Sequence, residues 1–231
     1  MYIYGKNVIA ESLKNHQVIH KAYIYKKFQD KNMISELQKR NIPVKFVEKT
    51  ELDKLAKGNH QGIILNVPDY EYASLEELLV KENPLLIILD HLEDPHNLGA
   101  IIRTCEAAGV DGMIIPKNRC VDVNSTVMRT SVGASEYVKI AQVTNLVETM
   151  KELKKQGFWI VGTDMDGTDY EEIDYRGKTA IVIGNEGHGM ARLVKENCDY
   201  IASIPMNGKI NSLNASVAAG IMIYEAISKR K

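Results

Sequence analysis

Cysteine is scarce in this chain and scattered where it occurs, as Cys105, Cys120 and Cys198 among 231 residues. No C-x-x-C pair exists, which argues against a zinc knuckle or a redox dithiol and leaves three reduced thiols as the expectation. Aromatics are thin at 6%, with one Trp. No apolar run approaches the roughly 20 residues of a membrane-spanning helix, and stretches such as Leu85–Leu89 fall far short. The opening MYIYGKNVIAESLKNHQ lacks an apolar segment of signal-peptide length. A cytoplasmic location with no membrane partner is therefore expected. The six histidines show no metal-ligand spacing, so no metal is expected. The glycine fingerprint of dinucleotide-binding folds is missing, together with a ribose-binding acid at the right spacing, which argues against a Rossmann-type nucleotide enzyme.

What is present fits an ordinary globular chain, 45% hydrophobic, with a net charge of -1. That charge hides an asymmetry. Residues 1–72 carry 12 Lys/Arg against 8 Asp/Glu, whereas the remainder carries 17 against 22. An excess of +4 at the front suggests a polyanionic partner, although lysines spread over solvated faces give the same count.

The front segment reads as a small α/β unit. Helical spacing is predicted over 5–15, 32–40 and 50–57, and strands over 22–25, 44–47 and 62–67, with Pro68 ending the last. Ser74 and Glu77 form a capping-box pattern that predicts a short helix to about residue 81. The boundary is placed there: a small domain over 1–72, a linker over 73–83 and a second domain over 84–231. From Pro84 strands and helices alternate. Strands are predicted over 85–90, 112–115, 137–140, 158–162, 179–184 and 200–204. Helices are predicted over 98–108, 124–131, 146–156, 190–197 and 213–228. Such alternation implies a parallel sheet with helices on both faces. Met113, Met128, Met150 and Met222 are expected in its core.

Three segments place polar residues and glycines where strands should end: Asp94–Thr104, Ile183–Gly189 and Ile204–Ser216. Polar groups at strand ends of an α/β sheet usually line a ligand crevice. Each also has an ordinary structural reading. Asn97 precedes a helix and suits an N-cap, and Arg103 suits an ion pair with Glu106. Gly184, Gly187 and Gly189 around Glu186 suit a tight turn, and either Ser212 or Asn214 suits a helix cap.

In order and spacing these segments resemble the three signature motifs of the SpoU (TrmH-like) RNA 2′-O-ribose methyltransferases. D-P-x-N-L-G-A-I-I-R-T matches 94–104, I-G-x-E-G-x-G matches 183–189, and I-P-M-x-G-x-x-x-S-L-N-x-S matches 204–216. The front also resembles the small substrate-binding domain of many bacterial members, in Tyr4-Gly5-Lys6-Asn7-Val8 and His60-Gln61-Gly62-Ile63. Cys105, Asn185, Asn211 and Ala215 depart from the common pattern without removing a presumed functional side chain.

The resemblance implies an α/β fold with a SPOUT-type parallel sheet and a deep trefoil knot, which the rule against knotted chains alone would have disfavoured. It implies S-adenosyl-L-methionine bound at Gly184, Ile204 and Leu213, with Thr163 and Gly187 nearby. It also implies a homodimer whose sites borrow residues from the partner, with RNA and not DNA as the macromolecular ligand. Arg103 would act on the ribose hydroxyl, Asn97 and Glu186 would position Arg103 and substrate, and Ser212 and Asn214 would hydrogen-bond substrate or cofactor. The front domain favours a guanosine of large-subunit ribosomal RNA as target. Transfer RNA, a resistance-type ribosomal methylation and a non-catalytic RNA-binding protein stand as alternatives.

Overall fold

The computed structural model describes residues 1–185, 187–209 and 212–230. The front unit runs β1 (Tyr2–Tyr4), α1 (Lys6–Lys14), β2 (Lys21–Tyr25), α2 (Lys31–Lys39), β3 (Val44–Val47), α3 (Lys49–Leu55) and β4 (Ile63–Asn66). Its four strands form a mixed sheet in the order β1-β4-β2-β3, parallel only between β2 and β3.

The second unit runs β5 (Leu85–Leu89), α4 (Pro95–Ala108), β6 (Gly112–Pro116), α5 (Ser125–Thr130), β7 (Ile140–Val143), α6 (Leu146–Lys155), β8 (Trp159–Asp169), β9 (Thr179–Ile183), α7 (Arg192–Glu196), β10 (Tyr200–Ser203) and α8 (Ala215–Lys229). Its six strands are all parallel, in the order β10-β8-β9-β5-β6-β7. Every residue of β5 and β9 is buried, as parallel strands covered on both faces require. Leu85, Ile87 and Leu89 pack with Leu98, Ile101, Met222 and Ile223, while Leu86 and Ile88 pack with Met150, Leu153 and Val194.

The first of those layers continues into the front unit through Ile3, Val8 and Ile9. Polar ties cross the same seam. Arg129 Nη1 donates to the Tyr4 hydroxyl at 3.2 Å, and the Tyr137 hydroxyl reaches Glu11 Oε2 at 2.8 Å. Among the described residues no helix is long and apolar enough to cross a membrane.

The structure departs from the sequence reading in several places. Strand β1 escaped it, being only three residues long. The helix expected after Ser74 shrinks to one 3-10 turn, Glu76–Leu78: Ser74 N–H donates to Glu77 Oε2 at 2.7 Å, but the helix does not propagate. Ala73 instead pairs with Ala141, and its N–H donates to Ile140 O at 2.9 Å. The strand expected over 137–140 lies at Ile140–Val143, because 134–136 closes a 3-10 turn. Strand β8 runs on to Asp169, well beyond the expected end at 162.

Candidate active site

The site begins where β5 ends. Asp90 is buried at 1% exposure, and its Oδ2 accepts the Ala191 N–H at 2.6 Å. Its Oδ1 pairs with His91 Nδ1. A carboxylate so buried is stable only with such partners. The next residue binds the second motif: Asn185 Nδ2 donates to His91 O at 2.8 Å, and Asn185 Oδ1 accepts the Gly187 N–H at 2.8 Å. Asn185 and Gly189 exchange both backbone hydrogen bonds, at 3.0 and 2.9 Å. The loop after β9 is therefore a closed turn anchored to the end of β5.

Its glycines answer to crowding. A Cβ on Gly184 would stand 2.6 Å from the Gly189 carbonyl carbon, and Gly189 has φ of 65°. No side chain fits the first position, and the second favours glycine.

The third motif is held by β8 and α8. Strands β8 and β10 shift register between Ile201 and Ala202, and a Cβ on Gly167 would stand 2.5 Å from Ile201 O. Ser203 Oγ donates to Met165 O at 2.8 Å, and Thr163 Oγ1 donates to Val182 O at 2.9 Å. Asn214 caps α8, its Oδ1 accepting from Ser216 N–H at 2.9 Å and from Ser216 Oγ at 2.6 Å.

These loops enclose a cavity of about 430 Å³ beyond the carboxyl ends of β9 and β10. Thr163, Gly184, Gly187, Ile204 and Leu213, the five positions expected to touch cofactor, all line it. Ser212 lines it too. Its wall is largely apolar, with Ile183, Ala202 and Ala215, and one charged pair stands at it: Asp164 lines the cavity and is bridged by Lys195 Nζ at 2.8 Å. Asp164 and Met165 escaped the sequence reading, because the strand that carries them was expected to end at Gly162. The one available signal was the Thr-Asp pair directly after that apolar run.

Of the remaining expected site residues, Arg103, Asn97 and Asn214 are not among the lining. Arg103 is exposed on α4, and among the described residues no hydrogen bond or ion pair holds it; the bridge to Glu106 does not form. Asn97 is buried in the first turn of α4 and is not its cap. Asp94 caps that helix, accepting the His96 N–H at 2.9 Å with Pro95 at the first helical position, so α4 starts three residues earlier than expected. Glu186 lies outside the described residues. Among the described residues no group of three His, Cys, Asp or Glu is placed to hold a metal ion.

Comparison with known proteins agrees with this architecture. The model of the SpoU rRNA methylase family matches residues 84–224, and that of RNA 2′-O ribose methyltransferase substrate binding matches residues 2–73. YacO of Bacillus subtilis strain 168, which carries the name of a TrmH family tRNA/rRNA methyltransferase, is 44% identical over 238 residues, covering 99% of this chain and 96% of YacO. The AdoMet-bound rRNA methyltransferase from Sinorhizobium meliloti superposes with a TM-score of 0.82 at 27% identity, over 97% of this chain and 85% of that one. The TrmH/SpoU tRNA modifying enzyme of A. aeolicus gives a TM-score of 0.58 at 34% identity, over 67% of this chain and 80% of that one. With a family model matched along each unit and close identity to a TrmH-family relative along nearly its whole length, this chain belongs to the SpoU (TrmH-like) family of RNA methyltransferases.

Proposed function

We propose that the protein transfers the methyl group of S-adenosyl-L-methionine to a ribose 2′-OH in structured RNA, working as a homodimer. A guanosine of large-subunit ribosomal RNA is the target we favour. The observation that carries the reading is the convergence of Thr163, Gly184, Gly187, Ile204 and Leu213 on one cavity from three separate stretches of chain. The cavity suits the cofactor. Its apolar walls fit a purine face, and the backbone at Gly184 is bare.

The methionine sulfonium supplies an already activated methyl group. The chain must align the ribose oxygen for in-line attack, exclude water and manage the departing hydroxyl proton. A guanidinium stays protonated in proteins, so we assign Arg103 to stabilising the developing oxyanion or to gripping the adjacent phosphate. Asn97 and Glu186 position Arg103 and substrate, and Ser212 at the cavity supplies a hydroxyl to substrate or cofactor. Asn214 holds the third motif in place by capping α8.

The dimer reading is supported by the surface of α8, where Val217 and Tyr224 are about half exposed. Helix α4, which bears the exposed Arg103, packs against α8, so a second copy seated on α8 lies next to the helix that carries that guanidinium. Ribosomal RNA is favoured because the rRNA enzyme of S. meliloti matches nearly all of this chain, whereas the tRNA-modifying enzyme matches about two thirds.

Titration calorimetry with S-adenosylhomocysteine tests the cofactor site. About one site per chain with micromolar affinity, worth about 8 kcal/mol, is expected. No heat of binding at millimolar ligand from folded protein would overturn the reading.

A further inference from the structure

A second cleft, of about 540 Å³, opens in the front unit between the loop after β2, the start of α3 and the loop before β4. That volume falls within the range of roughly 300–1,000 Å³ typical of ligand clefts. We propose that it holds one unstacked nucleotide of the RNA substrate, its base against Phe28 and Tyr25 and its phosphate on Lys27 and Lys49. The inference rests on RNA being the substrate and adds where a single nucleotide is gripped.

Three observations carry it. The first is the charge. Lys26 and Lys45 on the same unit are spent in ion pairs, with Glu48 at 2.9 Å and Glu51 at 2.6 Å. Lys27 and Lys49, which line the cleft, have no ion pair among the described residues. Lys6, 5.3 Å from the centre of the Phe28 ring, stands at the same cleft but is shared with Asp30 at 3.9 Å, so Lys27 and Lys49 are the pair left for a ligand. The cleft's own acid is engaged, since Asp53 Oδ1 lies 3.0 Å from His60 Nε2. Unpaired ammonium groups around a cavity suit a phosphate.

The second is that the aromatic wall is built. His60 is buried at 5% exposure, and its Nδ1 accepts the Gly62 N–H at 3.0 Å. A backbone N–H can only donate, so Nδ1 is bare and Nε2 carries the proton that Asp53 receives. This ties the loop before β4 to α3. Gly62 has φ of 87°, and a Cβ there would stand 3.0 Å from Phe28 Cδ2. The glycine thus leaves room for the Phe28 ring in the wall of the cleft.

The third is the supply of base-reading groups. The Gln61 amide oxygen accepts the Lys6 N–H at 2.7 Å, which leaves its NH₂ to donate, and Asn59 and Gln29 bring two further amides to the rim. Aromatic stacking with amide contacts at base edges is how proteins hold unstacked RNA bases. A peptide ligand would need an apolar pocket for its side chains, and this lining is dominated by polar and charged groups.

The test uses the full chain and a twelve-nucleotide single-stranded RNA with a central 4-thiouridine. Irradiation is expected to cross-link the base to the peptide bearing Tyr25 or Phe28. Phe28→Ala should weaken binding about tenfold and remove the cross-link, while Phe28→Trp retains both. Lys27→Ala with Lys49→Ala should flatten the log–log salt dependence by about 0.7, the share of the one phosphate the pair holds on a single strand. Calorimetry with S-adenosylhomocysteine should be unchanged in every variant. Should Phe28→Ala fail to fold, the exposed lysine pair carries the test alone. RNA binding with unchanged affinity and slope, and cross-links elsewhere, would overturn the cleft and leave RNA methylation standing. A folded protein that binds no RNA at low salt would overturn both.

Discussion

Arg103 is an exposed cation on a helix whose other faces are packed, and among the described residues no hydrogen bond or ion pair holds it. Loss of such a side chain costs the fold little, so its effect should fall on the reaction. Arg103→Ala is expected to lower kcat about a hundredfold or more with the melting temperature and S-adenosylhomocysteine affinity unchanged. Arg103→Lys separates a point charge, which lysine replaces, from a planar fork, which it does not. Near-normal turnover in Arg103→Ala would remove the residue from the site. At this scale the sequence was informative where a residue type is unusual in its setting, such as an Arg after two isoleucines. It was silent on Asp90, which reads as an ordinary polar strand end. Only folding brings its carboxylate to the N–H of Ala191, 101 residues along the chain.

At the scale of elements, the closed turn after β9 is where the proposed cofactor site meets the packing of the sheet. Gly184→Ala would place a methyl group against backbone that is itself locked by the Asn185–Gly189 pair. Relief by a flexible side chain is not possible there, so a destabilisation of about 1–3 kcal/mol is expected, with at least a tenfold loss of S-adenosylhomocysteine affinity. Thermal denaturation and calorimetry on the same sample check both. Periodicity located most elements, because buried parallel strands such as β5 and β9 are continuous apolar runs. It failed where the deciding contact is distant. The polar stretch 163–169 extends β8 only because β10 pairs with it across a register shift. Residues 137–139 are not strand, and the Tyr137 hydroxyl there is engaged by Glu11 and Asn15 of the front unit. Helix α4 starts early because Asp94 and Pro95 form a cap and first turn that the apolar spacing does not register.

For the whole molecule, the two units share one hydrophobic layer and are tied by the Tyr4–Arg129 and Glu11–Tyr137 contacts. The front unit is thereby held in a fixed relation to the cavity beyond β9 and β10. Assembly is expected to complete the site from a second copy through α8. Val217→Glu with Tyr224→Glu would place like charges across a two-fold interface, and sedimentation should then show monomer with methyl transfer lost. A wild-type chain sedimenting as monomer at micromolar concentration would refute that assembly. The central claim, ribose methylation of RNA through Arg103, is tested most directly by mapping 2′-O-methyl groups on total RNA from three strains: with the protein, without it, and with Arg103→Ala in its place. The account predicts one 2′-O-methylguanosine in large-subunit ribosomal RNA, present in the first strain and absent from the other two. An identical methylation map in all three would contradict it.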